Sequence, residues 1–229
     1  MTAINNDMKF VWIWVPKNAG SSIYTKLKNH DVEAGTPGDH TSFSVLETAF
    51  GPQLNTYFKW AFVRDPYTRI ASAYFHVINA HLFHHYKSFD EFLLNDFYDA
   101  EGNLSIENSK IKTHSSLKDI THFRPQTYFL QNLAGKIDFD FLGRVENMNE
   151  DWRTLCGHLE LPEEDLKVHN SSYHQEDTFF DKPMDPPDAE TASVNDYSKH
   201  FSGPDAAEKI KIVNELYAAD FENFGYAPR

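Results

Sequence analysis

Residues 9–22, Lys9-Phe10-Val11-Trp12-Ile13-Trp14-Val15-Pro16-Lys17-Asn18-Ala19-Gly20-Ser21-Ser22, run from an apolar stretch into a turn of small residues that carries one lysine. Apolar side chains from Phe10 to Val15 predict a strand covered on both faces, as in a parallel sheet. A helix is expected to follow over about Gly20 to Asn29. Such a turn leaves several backbone N–H groups pointing at one spot, the helix adds the positive end of its dipole, and Lys17 adds a full charge. The block therefore predicts an anion cradle. It departs from the common nucleoside triphosphate loop, which ends in Gly-Lys-Ser/Thr, because here the lysine precedes the glycine. Read alone, the same small residues also fit a plain strand-to-helix connection that only permits close packing.

Working outward, a second strong strand is expected from Tyr57 to Val63, ending in Arg64-Asp65-Pro66. Asp65 suits a helix N-cap and Pro66 the first helical position. The helix they open carries Ile70, Tyr74, Val77 and Ile78 at helical spacing and is expected to reach toward His85. Ser72 comes back to nearly the face of Asp65 about two turns, or roughly 10 Å, along the axis. Arg64 and Ser72 can thus share a second anion, so a ligand charged at both ends would span the two turns.

Elsewhere, Phe43 to Phe50 reads as a short helix stopped by Gly51-Pro52, and Phe89 to Phe97 as another. The polar stretch from Asp99 to Thr121 shows no clear period. Pro125 to Leu133 reads as helix, Phe139 to Gly143 as a third strand, and Glu150 to Leu159 as helix. Glu176 to Asp196 is acidic and broken by Pro183, Pro186 and Pro187, which makes it a long solvated loop or lid. A closing helix is expected from about Pro204, with Ile210, Val213, Tyr217 and Phe221 on one face. Strands alternating with helices indicate an α/β fold with a mostly parallel central sheet and right-handed crossovers. The 229 residues are expected to form one domain.

Composition narrows the function classes. A hydrophobic fraction of 41% and 15% aromatics are globular, not disordered. No run approaches the roughly 18 apolar residues that span a bilayer, and the first strand begins by Lys9, so neither a membrane stem nor a signal peptide is expected. Cys156 is the sole cysteine, so no intrachain disulfide marks an oxidising compartment and a cytoplasmic setting is expected. A net charge of −13 argues against a nucleic-acid groove or an anionic membrane surface. The anion site must be a local basic pocket, and Lys17, Arg64, Arg69 and Arg144 stand out for it.

The motifs resemble those of a known family. The block from Lys17 to Ser22 resembles the 5′-phosphosulfate loop of sulfotransferases, and Phe62-Val63-Arg64-Asp65-Pro66-Tyr67-Thr68-Arg69-Ile70-Ala71-Ser72-Ala73-Tyr74 resembles their 3′-phosphate motif, which is the more specific match. His122-Phe123-Arg124-Pro125-Gln126, Phe141-Leu142-Gly143-Arg144-Val145-Glu146 and Leu216-Tyr217-Ala218-Ala219-Asp220-Phe221 with Phe224-Gly225-Tyr226 resemble elements of the carbohydrate, Golgi-type branch, sulfotransferase family 2. The resemblance implies a P-loop-like three-layer αβα fold and transfer of a sulfuryl group from 3′-phosphoadenosine 5′-phosphosulfate to a hydroxyl. It implies that Lys17, Asn18, Ala19, Gly20, Ser21 and Ser22 hold the 5′-phosphosulfate, that Arg64 and Ser72 hold the 3′-phosphate, and that no metal is needed.

The acceptor hydroxyl needs a base. His40, in Gly38-Asp39-His40-Thr41-Ser42-Phe43, lies in a stretch similar to the one that holds the catalytic histidine of 2-O-sulfotransferases, and an imidazole pKa near ~6.5 suits proton abstraction at neutral pH. His122 is the reserve candidate. The acidic chain disfavours an already sulfated polyanion as acceptor, which leaves a neutral carbohydrate, a glycolipid headgroup or a small alcohol. Two rival readings remain, an ATP-type phosphotransferase on a related loop and a non-catalytic nucleotide-binding protein on this fold.

Other conspicuous residues have plainer readings. His76, His81, His84 and His85 fall on more than one helical face, with no cysteine or carboxylate completing a metal-ligand set. Cys156 reads as a small buried hydrophobe, and Trp12, Trp14 and Trp60 as core. Arg144 and Glu146 fit either an ion pair at a strand end or ligand contacts.

Overall fold

In the computed structural model, which describes residues 3–33, 40–79, 88–108, 120–166 and 197–229, four strands form one sheet in sequence order. Strands β2 (Phe10–Ile13), β3 (Phe58–Val63) and β4 (Phe141–Arg144) are parallel neighbours, and β1 (Ala3–Asn5) pairs antiparallel with β2 at the edge. The helices are α1 (Gly20–Asn29), α2 (Phe43–Phe50), α3 (Pro66–Asn79), α4 (Phe89–Asp96), α5 (Gln126–Leu130), α6 (Met148–Leu159), α7 (Ala206–Leu216) and α8 (Ala218–Phe224). Short 3₁₀ turns cover Gly51–Thr56, Val145–Asn147 and Tyr197–Phe201. The expected mixed α/β architecture with a mostly parallel sheet is present. No helix among the described residues is long and apolar enough to cross a membrane.

Alternation along the strands sends side chains to opposite faces, and helices cover both. Phe10, Trp12, Trp60 and Phe62 pack with Ile23 and Leu27 of α1 and with Trp152, Leu155 and Cys156 of α6. On the other face Val11, Ile13, Ala61 and Val63 pack with Phe43 and Leu46 of α2, Phe129 and Leu130 of α5 and Phe224 of α8. A third cluster joins α3, α4 and α7 through Tyr67, Ile70, Tyr74, Phe92, Leu93 and Val213. The three expected core tryptophans are buried, with Trp12 stacked between Trp14 at 5.2 Å and Trp60 at 5.3 Å. Gly143 lets β4 pass the Phe62 ring, which a Cβ would meet at 2.4 Å.

Several boundaries differ from the sequence reading, each for a local reason. The apolar run to Val15 stops pairing at Ile13, opposite Ala61, and the Val15 N–H turns back onto the Ile13 carbonyl. The short β1 shows no period of its own, and Asn5 Oδ1 closes its turn into β2 by accepting the N–H groups of Asp7 and Met8. Helix α5 ends at Leu130, three residues early, because Gln131 is extended and Asn132 folds the next residues into a tight turn on its own side chain. The single closing helix is two, broken at Tyr217, where ψ is 24°. The expected start of α3 holds, since Asp65 Oδ1 accepts the Thr68 N–H at 2.9 Å and Pro66 follows it. The reach of that helix toward His85 and the acidic loop at 176–196 lie outside the described residues.

Candidate active site

The two turns expected to bind anions sit where β2 and β3 end. In the first, Lys17 (φ 69°) and Ala19 (φ 59°) adopt the left-handed conformation that non-glycine residues rarely take. That kink aims the start of α1 back at the strand end. Ser22 and Ile23 donate to the Ala19 carbonyl, whereas the N–H groups of Ala19, Gly20 and Ser21 donate to no backbone carbonyl among the described residues. These are the orphan donors of a helix start. Gly20 is required sterically, because a Cβ there would lie 1.8 Å from the indole nitrogen of Trp14.

The second turn is tied to the first by side chains. Arg64 donates from Nε to Thr68 Oγ1 (3.0 Å) and from Nη1 to the Lys17 carbonyl (3.1 Å). Asn18, only 2% exposed, spends its amide NH₂ on the Phe62 carbonyl (2.6 Å) and on Gln126 Oε1 (2.7 Å). Gln126 Oε1 also accepts the Arg64 N–H, and its Nε2 donates to the Arg64 carbonyl, both at 2.8 Å. Gln126 thus joins the turns after β2 and β3 to the start of α5.

That helix start is in turn capped from far away. Pro125 precedes α5 and has no capping side chain, so the Asp220 carboxylate of α8 accepts the N–H groups of Gln126 (2.8 Å) and Thr127 (2.9 Å). Burial pushes the Asp220 carboxyl up, while Arg69 and those two N–H groups pull it down. Arg69, fully buried, donates to the Arg124 carbonyl and lies over the Tyr217 ring, whose hydroxyl donates to the Phe123 carbonyl. The break at Tyr217 is what lets α8 deliver Asp220 here. Arg69 is therefore a structural cation, away from the anion turns.

Lys17 and Arg64 are paired with no carboxylate among the described residues, unlike Lys26, Lys59, Arg124, Arg153 and Lys209. Burial first, and then the Arg64 charge, bring the Lys17 ammonium down to about 7. Burial also pulls the Arg64 guanidinium below its ordinary value, against Tyr197, Glu146 and Asp65. Two like charges held side by side, one buried and one half-buried, are costly without a counter-ion.

The histidines converge beside it. His40 bonds through Nδ1 to the Trp14 carbonyl at 2.9 Å, and a carbonyl only accepts, so Nδ1 carries the hydrogen and Nε2 is left as the basic nitrogen. The His122 ring lies 5.4 Å from that of His40, and His76 lies 4.8 Å from His122. Thr68, Ser72 and His76 stand four residues apart along one side of α3. Thr68 touches Arg64, His76 touches His122, and buried Ser72 lies between them. Among the described residues no three His, Cys, Asp or Glu side chains are grouped to hold a metal ion; His81, His84 and His85 lie outside them.

Arg144 and Glu146 form no ion pair with each other among the described residues. Arg144 donates to the Phe224 carbonyl and sits over the Tyr226 ring, and Glu146 accepts the Asp65 N–H (2.7 Å) and the Tyr226 hydroxyl (2.9 Å). Sequence reasoning missed the roles of Gln126, Asp220 and Thr68. Only Thr68 carried a local signal, four residues after Arg64; the other two act across 62 and 94 positions of chain.

The model of the Sulfotransferase family matches residues 1–227. Neither the curated proteins nor the solved structures gave a significant match. Because the family match leaves out only the last two of the 229 residues, the chain belongs to the Sulfotransferase family.

Proposed function

We propose that the protein transfers the sulfuryl group of 3′-phosphoadenosine 5′-phosphosulfate to a hydroxyl of a neutral carbohydrate, a glycolipid headgroup or a small alcohol. The observation that carries this reading is the pair of neighbouring cations, half-buried Lys17 and buried Arg64, on consecutive strand-to-helix turns without a paired carboxylate among the described residues. One anion per turn fits a donor charged at both its 5′ and 3′ ends. The whole chain, 1–229, would serve as one P-loop-like three-layer domain, in a cytoplasmic setting suggested by the lone Cys156.

The residues then divide the work. The N–H groups of Ala19, Gly20 and Ser21, with Ser22 behind them, hold the 5′-phosphosulfate, and Lys17 places its ammonium where negative charge grows on the departing oxygen. Asn18 keeps the turn in shape, since its amide is committed to Phe62 and Gln126. Arg64 and Ser72 hold the 3′-phosphate. The donor supplies the activated sulfuryl group. His40 takes the acceptor proton on Nε2 while its Nδ1–H stays on the Trp14 carbonyl, and His122 is the alternative base. With positive charge supplied by Lys17, Arg64 and the turn, the reading calls on no metal.

Calorimetric titration of adenosine 3′,5′-bisphosphate, AMP and ATP into wild type and Arg64→Ala tests the donor site. Preference for the bisphosphate, lost in the variant, is expected; equal binding of ATP would sink the reading. Turnover against an acceptor panel tests the base. His40→Ala is expected to lower kcat by about 10²-fold or more with bisphosphate affinity unchanged, and undiminished kcat would move the role to His122.

A further inference from the structure

Outside the cradle, an open groove of about 690 Å³ is lined by residues 98–107 and by the last turns of α7. That volume is in the range of small-ligand sites. The wall at 98–107 is preformed: Tyr98 and Leu104 pair as an antiparallel bridge, Asp99 Oδ1 accepts the N–H groups of Glu101 (3.0 Å) and Asn103 (2.8 Å), and the Ser105 N–H donates to the Phe97 carbonyl (2.7 Å). Leu104, Pro125 and Leu216 give the lining an apolar part, and partly buried Tyr98 adds an aromatic ring. Lys211 and Glu215, exposed and four residues apart on α7, add an ammonium and a carboxylate whose side chains form no hydrogen bond or ion pair among the described residues. The charges balance, Lys211 against Glu215, and Glu107 of the wall against Arg124, which bonds it at 2.6 and 3.0 Å.

We propose that this groove binds sugar units of the acceptor distant from the reacting hydroxyl, so that the substrate is a neutral oligosaccharide and not a single sugar or a small alcohol. The proposal rests on the sulfotransfer reading above. An ionic ligand would meet one like charge for each opposite one. A neutral polyhydroxyl chain can donate to Glu215, accept from Lys211 and lay a C–H face on the Tyr98 ring. The groove also lies within reach of the bases. Pro125 lines it and Arg124 is tied to its wall, while His122, three residues before Pro125, stands beside His40. Three residues of chain hold the Cα atoms of His122 and Pro125 within ~11 Å of each other, a span that a short oligosaccharide covers. Contacts so far from the transferred group bind substrate and transition state alike, so they lower KM and leave kcat as it is.

The test reads binding first and turnover second. An array of neutral and of charged glycans, from single sugars to short chains, is probed with wild type, Tyr98→Ala and the double variant Lys211→Ala/Glu215→Ala. Wild type is expected to be retained on neutral chains of more than one unit, and both variants about tenfold less tightly. Thermal unfolding checks that each variant folds; should Tyr98→Ala be unstable, the double variant, altered only at exposed helix positions, carries the test. On a chain so found, kcat/KM in wild type is expected to climb with the number of units through KM, and the climb to be lost in the variants. No retention of wild type on neutral chains, equal retention of all three proteins, or a preference for charged glycans overturns the role of the groove. Titration of adenosine 3′,5′-bisphosphate and ATP into wild type is the separate arm. Equal binding of the two overturns the donor reading whatever the array shows, so the two failures are distinct.

Discussion

Lys17 gives donor binding a pH signature that can be worked out in advance. In the free protein burial and Arg64 bring its ammonium down to about 7. An anion in the cradle reverses both causes, and the group returns toward its ordinary value near ~10.4. Binding above pH 7 must then take up a proton, and affinity must fall as pH rises through the free value and level off near the bound one. From pH 7 to 9 the neutral form grows from half to nearly all of the free protein, which weakens association about 50-fold, or ~2.3 kcal/mol. The bisphosphate is almost fully ionised across this window, so its own titration contributes little. Calorimetry at pH 8.5 in two buffers of different ionisation enthalpy should report an uptake of about one proton. Lys17→Arg keeps its charge throughout and should flatten the profile. Proton-neutral binding in wild type, or the same slope in Lys17→Arg, would refute the assignment of Lys17 to the anion.

Two substitutions test the scaffold. Gly20→Ala drives a methyl into the Trp14 indole and should cost about 1–3 kcal/mol by denaturant unfolding, with weaker bisphosphate binding; a variant of unchanged stability would mean that Trp14 moves aside freely. Gln126→Ala orphans the Arg64 N–H and carbonyl and one Asn18 proton, a loss of roughly 2–5 kcal/mol, and affinity should fall with it. Stability lost with affinity intact would show that the two turns hold their shape independently.

The sequence was most legible where its signals were local. The apolar run of β2, the Asp65-Pro66 start of α3 and the small-residue turn at Lys17 each state their structure within a few residues, and helix bounds such as Gly20–Asn29 and Phe43–Phe50 follow. The misses were long-range. No pattern in β1 announces a strand, because three residues cannot display a period, and its pairing partner β2 decides the matter. The break at Tyr217 runs against a continuous apolar face. It is set by the capping of α5 through Asp220 and by the bond of the Tyr217 hydroxyl to Phe123, 94 residues back. In the site, the cations and histidines could be named from sequence, but the His40 tautomer depends on the Trp14 carbonyl, which no sequence pattern displays.

The wiring of the cradle follows from its charge. Two neighbouring cations repel, and a turn held only by its own backbone would relieve that repulsion by opening, since left-handed Lys17 and Ala19 are already strained. The neutral amides of Asn18 and Gln126 prevent this without neutralising either cation, and Asp220, the carboxylate that caps α5, spends its charge on the N–H groups of that helix and on Arg69. Had Asp220 faced Lys17 or Arg64 instead, the fold would be more comfortable and the pocket would lose its attraction for an anion. The positive charge of the site is thus kept by placing the buried carboxylate one helix away.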